Sequence, residues 1–194
     1  IEGDGQAWLS RTQPALDPTP SDPLALILAA LDPAPNIVYL ARPCQYSGLL
    51  NQAPCPSQYW KSARYAPEVL QSYNRALDTF KARAGASEID LIGFSGGAAV
   101  AALLAGQRND VASLRSVAGN LDHRAHSASH NVSLLSGSLN PPDYAAQLAH
   151  IPQHHFIGGQ DKIVPRQIYD RYSAALPQRN CTSYQIIPEA AHLE

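Results

Sequence analysis

"LIGFSGGAAVAALLAG", residues 91–106, passes from an apolar run through Gly93-Phe94-Ser95-Gly96-Gly97 into an alanine-rich stretch. The apolar run reads as a strand covered on both faces, and the alanine-rich stretch as a helix buried against it. The serine between them sits where a strand turns at once into a helix. Such a G-x-S-x-G turn strains the serine backbone, so the residues two positions away on either side must be small. Its hydroxyl then projects beyond the sheet edge. The Gly96 N–H and the positive end of the following helix face the place where negative charge would form.

The pattern repeats outward from this turn. Asn36–Ala41, Ile89–Phe94, Leu114–Ala118, His155–Ile157 and Tyr184–Ile187 read as strands without strict alternation. Ala66–Ala84 carries Val69, Leu70, Tyr73, Ala76, Leu77 and Phe80 on one stripe and ends at Gly85, predicting an amphipathic helix. Gly96–Gly106 and Arg166–Leu176 predict two more helices, the latter introduced by Pro165. Leu24–Leu31 predicts a short one behind Asp22-Pro23, read as a cap and a helix-starting proline. Strands alternating with helices predict an α/β fold, a mostly parallel sheet with helices on both faces. Residues 1–194 read as one domain. Residues 121–144, "LDHRAHSASHNVSLLSGSLNPPDY", are polar and weakly periodic, and predict a cap-like excursion over the serine.

The 194 residues are 45% hydrophobic and 15% charged, a globular composition. With 14 basic and 16 acidic residues and no basic stripe, nothing points to nucleic acid or an anionic membrane surface. The longest apolar runs, Leu24–Leu31 and Ala98–Ala105, fall short of the roughly 20 residues of a membrane span. The absence of methionine predicts a chain trimmed at its N-terminus. Cys44 and Cys55 share one proline-bounded loop, "RPCQYSGLLNQAPCP", and are expected to form a disulfide, two unrelated thiols being the alternative. A bridge implies an oxidising compartment, periplasmic or secreted, and leaves Cys181 either free or paired elsewhere.

A serine needs a base, and the base needs a carboxylate. Of seven histidines, His192 in "YQIIPEAAHLE" follows the last predicted strand and is the chosen base. His154 and His155 open a strand, on the opposite edge, and His150 lies in an approach loop. His123, His126 and His130 fall in the excursion, where no cysteine or carboxylate set completes a metal site. For the carboxylate, Asp161 follows the strand ending at Gly158-Gly159, with Asp122 as its rival. The order Ser95, Asp161, His192 suits this elbow and differs from the chymotrypsin-like and subtilisin-like orders.

With elbow, acid loop and terminal histidine in that order, the chain resembles the alpha/beta-hydrolase superfamily over nearly its whole length. "YLARPCQY", "SVAGNLDH" and "GGQDKIVP" are similar to exported bacterial hydrolases of unassigned substrate. The resemblance gives "IEGDG" the role of the oxyanion loop, so Asp4, Gly5 and Gly96 are its expected members. It also implies that the first strands and the last helix of the fold lie outside these residues. The expected reaction is hydrolysis of an ester, thioester or amide of small-molecule size through an acyl-enzyme, with no cofactor or metal. Acyl transfer to a sugar or peptidoglycan acceptor, and a non-catalytic binding module of the same fold, are the alternatives.

Overall fold

The computed structural model describes residues 1–10, 12–47 and 55–193. Its elements run α1 (Leu24–Leu31), α2 (Pro67–Ala84), β1 (Ile89–Phe94), α3 (Gly96–Ala105), β2 (Val111–Val117) and α4 (His123–Ser129), then α5 (Ala145–Leu148), β3 (Gln153–Gly158), α6 (Gln167–Ala175) and β4 (Thr182–Ile187). The four strands form one parallel sheet in the order β1-β2-β3-β4. Consecutive parallel neighbours put the end of every strand on the same edge, and the loops after β1, β3 and β4 carry Ser95, Asp161 and His192.

Successive strand residues point to opposite faces, and the two faces bury different partners. Leu91 and Leu114, which lie opposite each other in the ladder, join Tyr73, Leu103 and Tyr172 in the larger core under α2, α3 and α6. Phe94 and Val117, three positions on, join Ala25 of α1 and Ala118 on the other face. Every residue of α3 is buried, which is why its sequence carries no polar face. Helix α2 stops where Gly85 takes φ 62°, and the Ala86 N–H returns to the Lys81 carbonyl.

Two local expectations are corrected. Asn36–Ala41 forms no ladder strand: its neighbour is Ile1–Glu2, too few residues to pair along it, and one backbone bond joins them, from Glu2 N to the Leu40 carbonyl (3.0 Å). Ile1 and Glu2 in turn border β1, where Phe94 N donates to the Ile1 carbonyl (3.1 Å). The Asp22 side chain does not cap α1: it accepts from Ser21 Oγ, and its backbone carbonyl takes the Leu24 N–H. The excursion at 121–144 is partly regular, because it contains α4 and a 3-10 turn at Pro141–Tyr144.

Cys44 and Cys55 form a disulfide, packed with Ala7 and Trp60. Closing this short loop contributes about 3 kcal/mol in the chain-entropy model. Cys181 is a free thiol.

Beneath the sheet, His155 Nδ1 lies 2.8 Å from Ser116 Oγ, and its Nε2 lies 3.2 Å from Gln153 Oε1, which also accepts from Tyr172 OH (2.7 Å). The amide oxygen can only accept, so Nε2 carries the proton and Nδ1 accepts from the serine. This neutral ring is fully satisfied. Burial, then the neighbouring His154, lowers its pKa from 6.5 to about 3. The stability it contributes is complete above the unfolded-state pKa and is lost progressively as pH falls toward the folded one. Denaturant unfolding between pH 6.5 and 5 will therefore show stability declining with pH. In His155→Gln the slope will be shallower by about one proton at the acid end. An unchanged slope would show that this ring is not the group taking up the proton.

Candidate active site

Ser95 is held at φ 50° and ψ −121°, a conformation that costs a non-glycine residue about 1–3 kcal/mol. The surrounding backbone enforces it. Ser95 N donates to the Val117 carbonyl (2.9 Å), and its own carbonyl accepts from Ala98 N (3.1 Å) and Asn120 N (2.9 Å). The flanking glycines are required by close approach. A Cβ on Gly93 would lie 2.4 Å from the Gly97 carbonyl oxygen, and one on Gly97 would lie 2.4 Å from those of Ile1 and Glu2.

His192 reaches across to this serine from the loop after β4. Its Nε2 is 2.9 Å from Ser95 Oγ, and its Nδ1 is 2.7 Å from Asp161 Oδ2. A carboxylate accepts only, so Nδ1 carries the ring proton and Nε2 presents a lone pair to the serine hydroxyl. The Phe94 ring packs beside the imidazole, with centroids 5.3 Å apart. Asp161 is itself fixed, because its Oδ1 accepts from the N–H groups of Ile163 and Val164, both at 2.8 Å. Burial by itself would raise the Asp161 pKa. The His192 hydrogen bond and these two N–H groups outweigh it and hold the carboxyl below its ordinary value.

Asp122, the alternative acid, lies elsewhere. Its Oδ1 caps α4, accepting from Arg124 N and Ala125 N (both 3.1 Å), and takes the Asn140 side-chain amide at 2.9 Å. The excursion histidines are likewise occupied. His123 Nε2 faces the Leu139 carbonyl beside the Tyr65 ring, and the adjacent, mutually tilted His126 and His130 rings reach the Ile163 loop through His130 Nε2 (2.8 Å). Among the described residues no three His, Cys, Asp or Glu side chains converge as a metal site. The buried Ser116–His155 pair shows that a serine–histidine contact alone makes no site, since both residues are only 1% exposed.

The segment Ile1–Gly5 runs alongside the elbow. A Cβ on Gly3 would lie 3.2 Å from Ser95 Cβ, and one on Gly96 would lie 2.3 Å from Asp4 Oδ1. Gly5 turns the chain away at φ 63°. Among the described residues the N–H groups of Asp4, Gly5 and Gly96 have no protein acceptor, whereas Gly3 and Gln6 on either side are satisfied. The Asp4 carboxylate is locked by Arg42 Nη1 (2.7 Å), Arg64 Nη1 (2.6 Å) and Tyr65 OH (3.2 Å). Gln45 Nε2 holds the Gly3 carbonyl at 3.0 Å, one residue from disulfide-bonded Cys44. Arg42, Arg64 and Gln45 were not singled out from the sequence. They lie 38 to 60 residues from the groups they hold, and no local pattern carries such a pairing.

A family model described as Serine hydrolase (FSH1) matches residues 52–185. No curated protein matches the chain. Among solved structures, the esterase domain of a Rhodothermus marinus protein aligns with TM-score 0.52 and 19% identity, over 64% of this chain and 60% of that one. A puromycin-hydrolysing peptidase of Mycobacterium tuberculosis aligns with TM-score 0.53 and 17% identity, over 63% and 22%. An alpha-beta serine hydrolase homologue from Coxiella burnetii aligns with TM-score 0.50 and 19% identity, over 66% and 51%. The chain thus spans less than two thirds of each relative's length, and at these identities the likeness is one of fold: a parallel sheet flanked by helices, as in alpha/beta-hydrolases.

Proposed function

The chain belongs to the serine hydrolase (FSH1) family, and we propose that it hydrolyses a small-molecule ester, thioester or amide through an acyl-enzyme formed on Ser95. Ser95 Oγ attacks the acyl carbonyl while its proton passes to His192 Nε2. Asp161 Oδ2 holds the Nδ1 proton and stabilises the imidazolium that forms. The C–O, C–S or C–N bond then breaks as Nε2 returns the proton to the leaving group. Water repeats the sequence on the acyl-enzyme, releasing the acid and restoring the serine. The tetrahedral oxyanion is received by the Gly96 N–H at the start of α3 and by the free N–H groups of the Asp4–Gly5 segment.

The observation carrying this reading is the unbroken line Ser95 Oγ, His192, Asp161 at 2.9 and 2.7 Å, ending on a serine at positive φ. A fluorophosphonate probe with a panel of p-nitrophenyl esters tests it: labelling at Ser95 and turnover of at least one short-chain ester are expected. A protein that neither labels nor hydrolyses would be a binding module instead.

We also propose that the protein works in an oxidising compartment, periplasmic or secreted. The Cys44–Cys55 disulfide supports this, since such bonds are rare where glutathione and thioredoxin keep thiols reduced. Alkylation and non-reducing peptide mapping of protein from its native compartment should recover the two cysteines as one cross-linked pair. Free, alkylated thiols at both positions would overturn it.

A further inference from the structure

Under the elbow two guanidiniums, Arg42 and Arg64, share the carboxylate of Asp4 in the Ile1–Gly5 segment, which also accepts from Tyr65 OH. Glu2, the other buried acid of that segment, accepts from Gly3 N and Tyr39 OH and bonds neither arginine. Arg42 is buried inside the network, its Nη2 on the Arg64 carbonyl and its Nε enclosed without a partner among the described residues. Arg64 is different. Its Nε donates to the Lys61 carbonyl (2.8 Å) and its Nη1 to Asp4, but among the described residues its Nη2 has no acceptor. This nitrogen belongs to the part of the side chain that still reaches solvent, 14% exposed, and is not among the buried unsatisfied atoms.

Its position matters because the Asp4 carboxylate lies directly against Gly96, the residue after Ser95. Arg64 is one hydrogen bond beyond that carboxylate. His126 of α4 lies within electrostatic range of Asp4 and Arg64, and burial, followed by His130, pushes its pKa down to about 4, so it adds no competing positive charge near neutral pH. Guanidinium N–H groups bind carboxylates strongly, and a partly dehydrated one left with free donors is costly unless a ligand completes it.

We propose that Arg64, through its free Nη2, is an anion-binding subsite next to the Asp4 carboxylate that abuts Gly96, and that the preferred substrates are esters carrying a carboxylate. The subsite rests on the serine-hydrolase reading for its substrate, not for the anion binding itself. A carboxylate that replaces water on Nη2 forms a charge-assisted hydrogen bond, which corresponds to about tenfold or more in affinity.

The test compares kcat/KM of the intact chain for mono-p-nitrophenyl glutarate and 3-carboxyphenyl butyrate with their neutral counterparts, p-nitrophenyl butyrate and phenyl butyrate. A preference of about tenfold or more for one carboxylate ester is expected, and which ester shows it assigns the anion to the acyl or the alcohol side. The ratio should fall to near unity in Arg64→Gln and be partly kept in Arg64→Lys, which retains the charge that holds Asp4. No preference in the wild type, or one kept in full by Arg64→Gln, overturns the proposal. A turnover-free arm separates it from the hydrolase reading. Calorimetric titration with glutarate should show binding to wild type, weakened at least tenfold in Arg64→Gln. Glutarate binding without hydrolysis of any ester would keep the subsite and remove the reaction, and absence of glutarate binding would remove the subsite.

Discussion

Ser95→Ala will fold as the wild type does and lose about 10³-fold or more of its ester hydrolysis, together with all fluorophosphonate labelling. The fold should persist because, among the described residues, Ser95 Oγ has one partner, His192 Nε2, while the elbow is held by backbone bonds that alanine keeps. Alanine at φ 50° is strained as serine is, so the change in stability should stay within about 1 kcal/mol. Activity has no such substitute, because without Oγ no acyl-enzyme forms. His192→Ala should lose a similar factor. The double variant should lose little more, since nucleophile and base act as one unit. Turnover of p-nitrophenyl butyrate, normalised to folded protein by circular dichroism, reads all three. Hydrolysis in Ser95→Ala at the wild-type rate would end the acyl-enzyme reading.

That so much rides on one turn explains why it was legible. The signals at Gly93–Gly97 are local: a strand, two glycines demanded by close approach and a helix whose whole surface is buried all lie within seventeen residues. The strands β1 to β4 were legible for the same reason, with boundaries shifted by up to three residues. Asn36–Ala41 misled because strand propensity needs a partner long enough to form a ladder, and Ile1–Glu2 offers one backbone bond. Helix α4 was missed because "HRAHSAS" has no apolar stripe. It is stabilised by the Asp122 cap and by the Asn140 amide on that carboxylate, a contact 18 residues away in sequence. The arginines around Asp4 were invisible on the same ground.

The two candidate acids separate most sharply under amide substitution. In Asp161→Asn the Oδ1 atom can still accept from Ile163 N and Val164 N, so the loop after β3 keeps its shape. The atom facing His192 Nδ1, 2.7 Å away, becomes an NH₂ donor. Two donors cannot share that bond, so the imidazole proton moves to Nε2 and the lone pair turns away from Ser95. The nucleophile then has no acceptor for its proton, and the imidazolium has lost its counter-charge. A change that leaves packing intact should therefore cost about 10⁴-fold in kcat. Asp122→Asn makes the opposite case: asparagine is as good a helix cap as aspartate, and nothing it touches reaches Ser95 or His192. Its turnover should stay within about twofold of wild type, and its stability within the roughly ±0.5 kcal/mol usual for mild substitutions. Steady-state rates on one ester, with thermal melts of both variants, decide the matter. A severe loss in Asp122→Asn with Asp161→Asn near wild type would reverse the assignment of the acid.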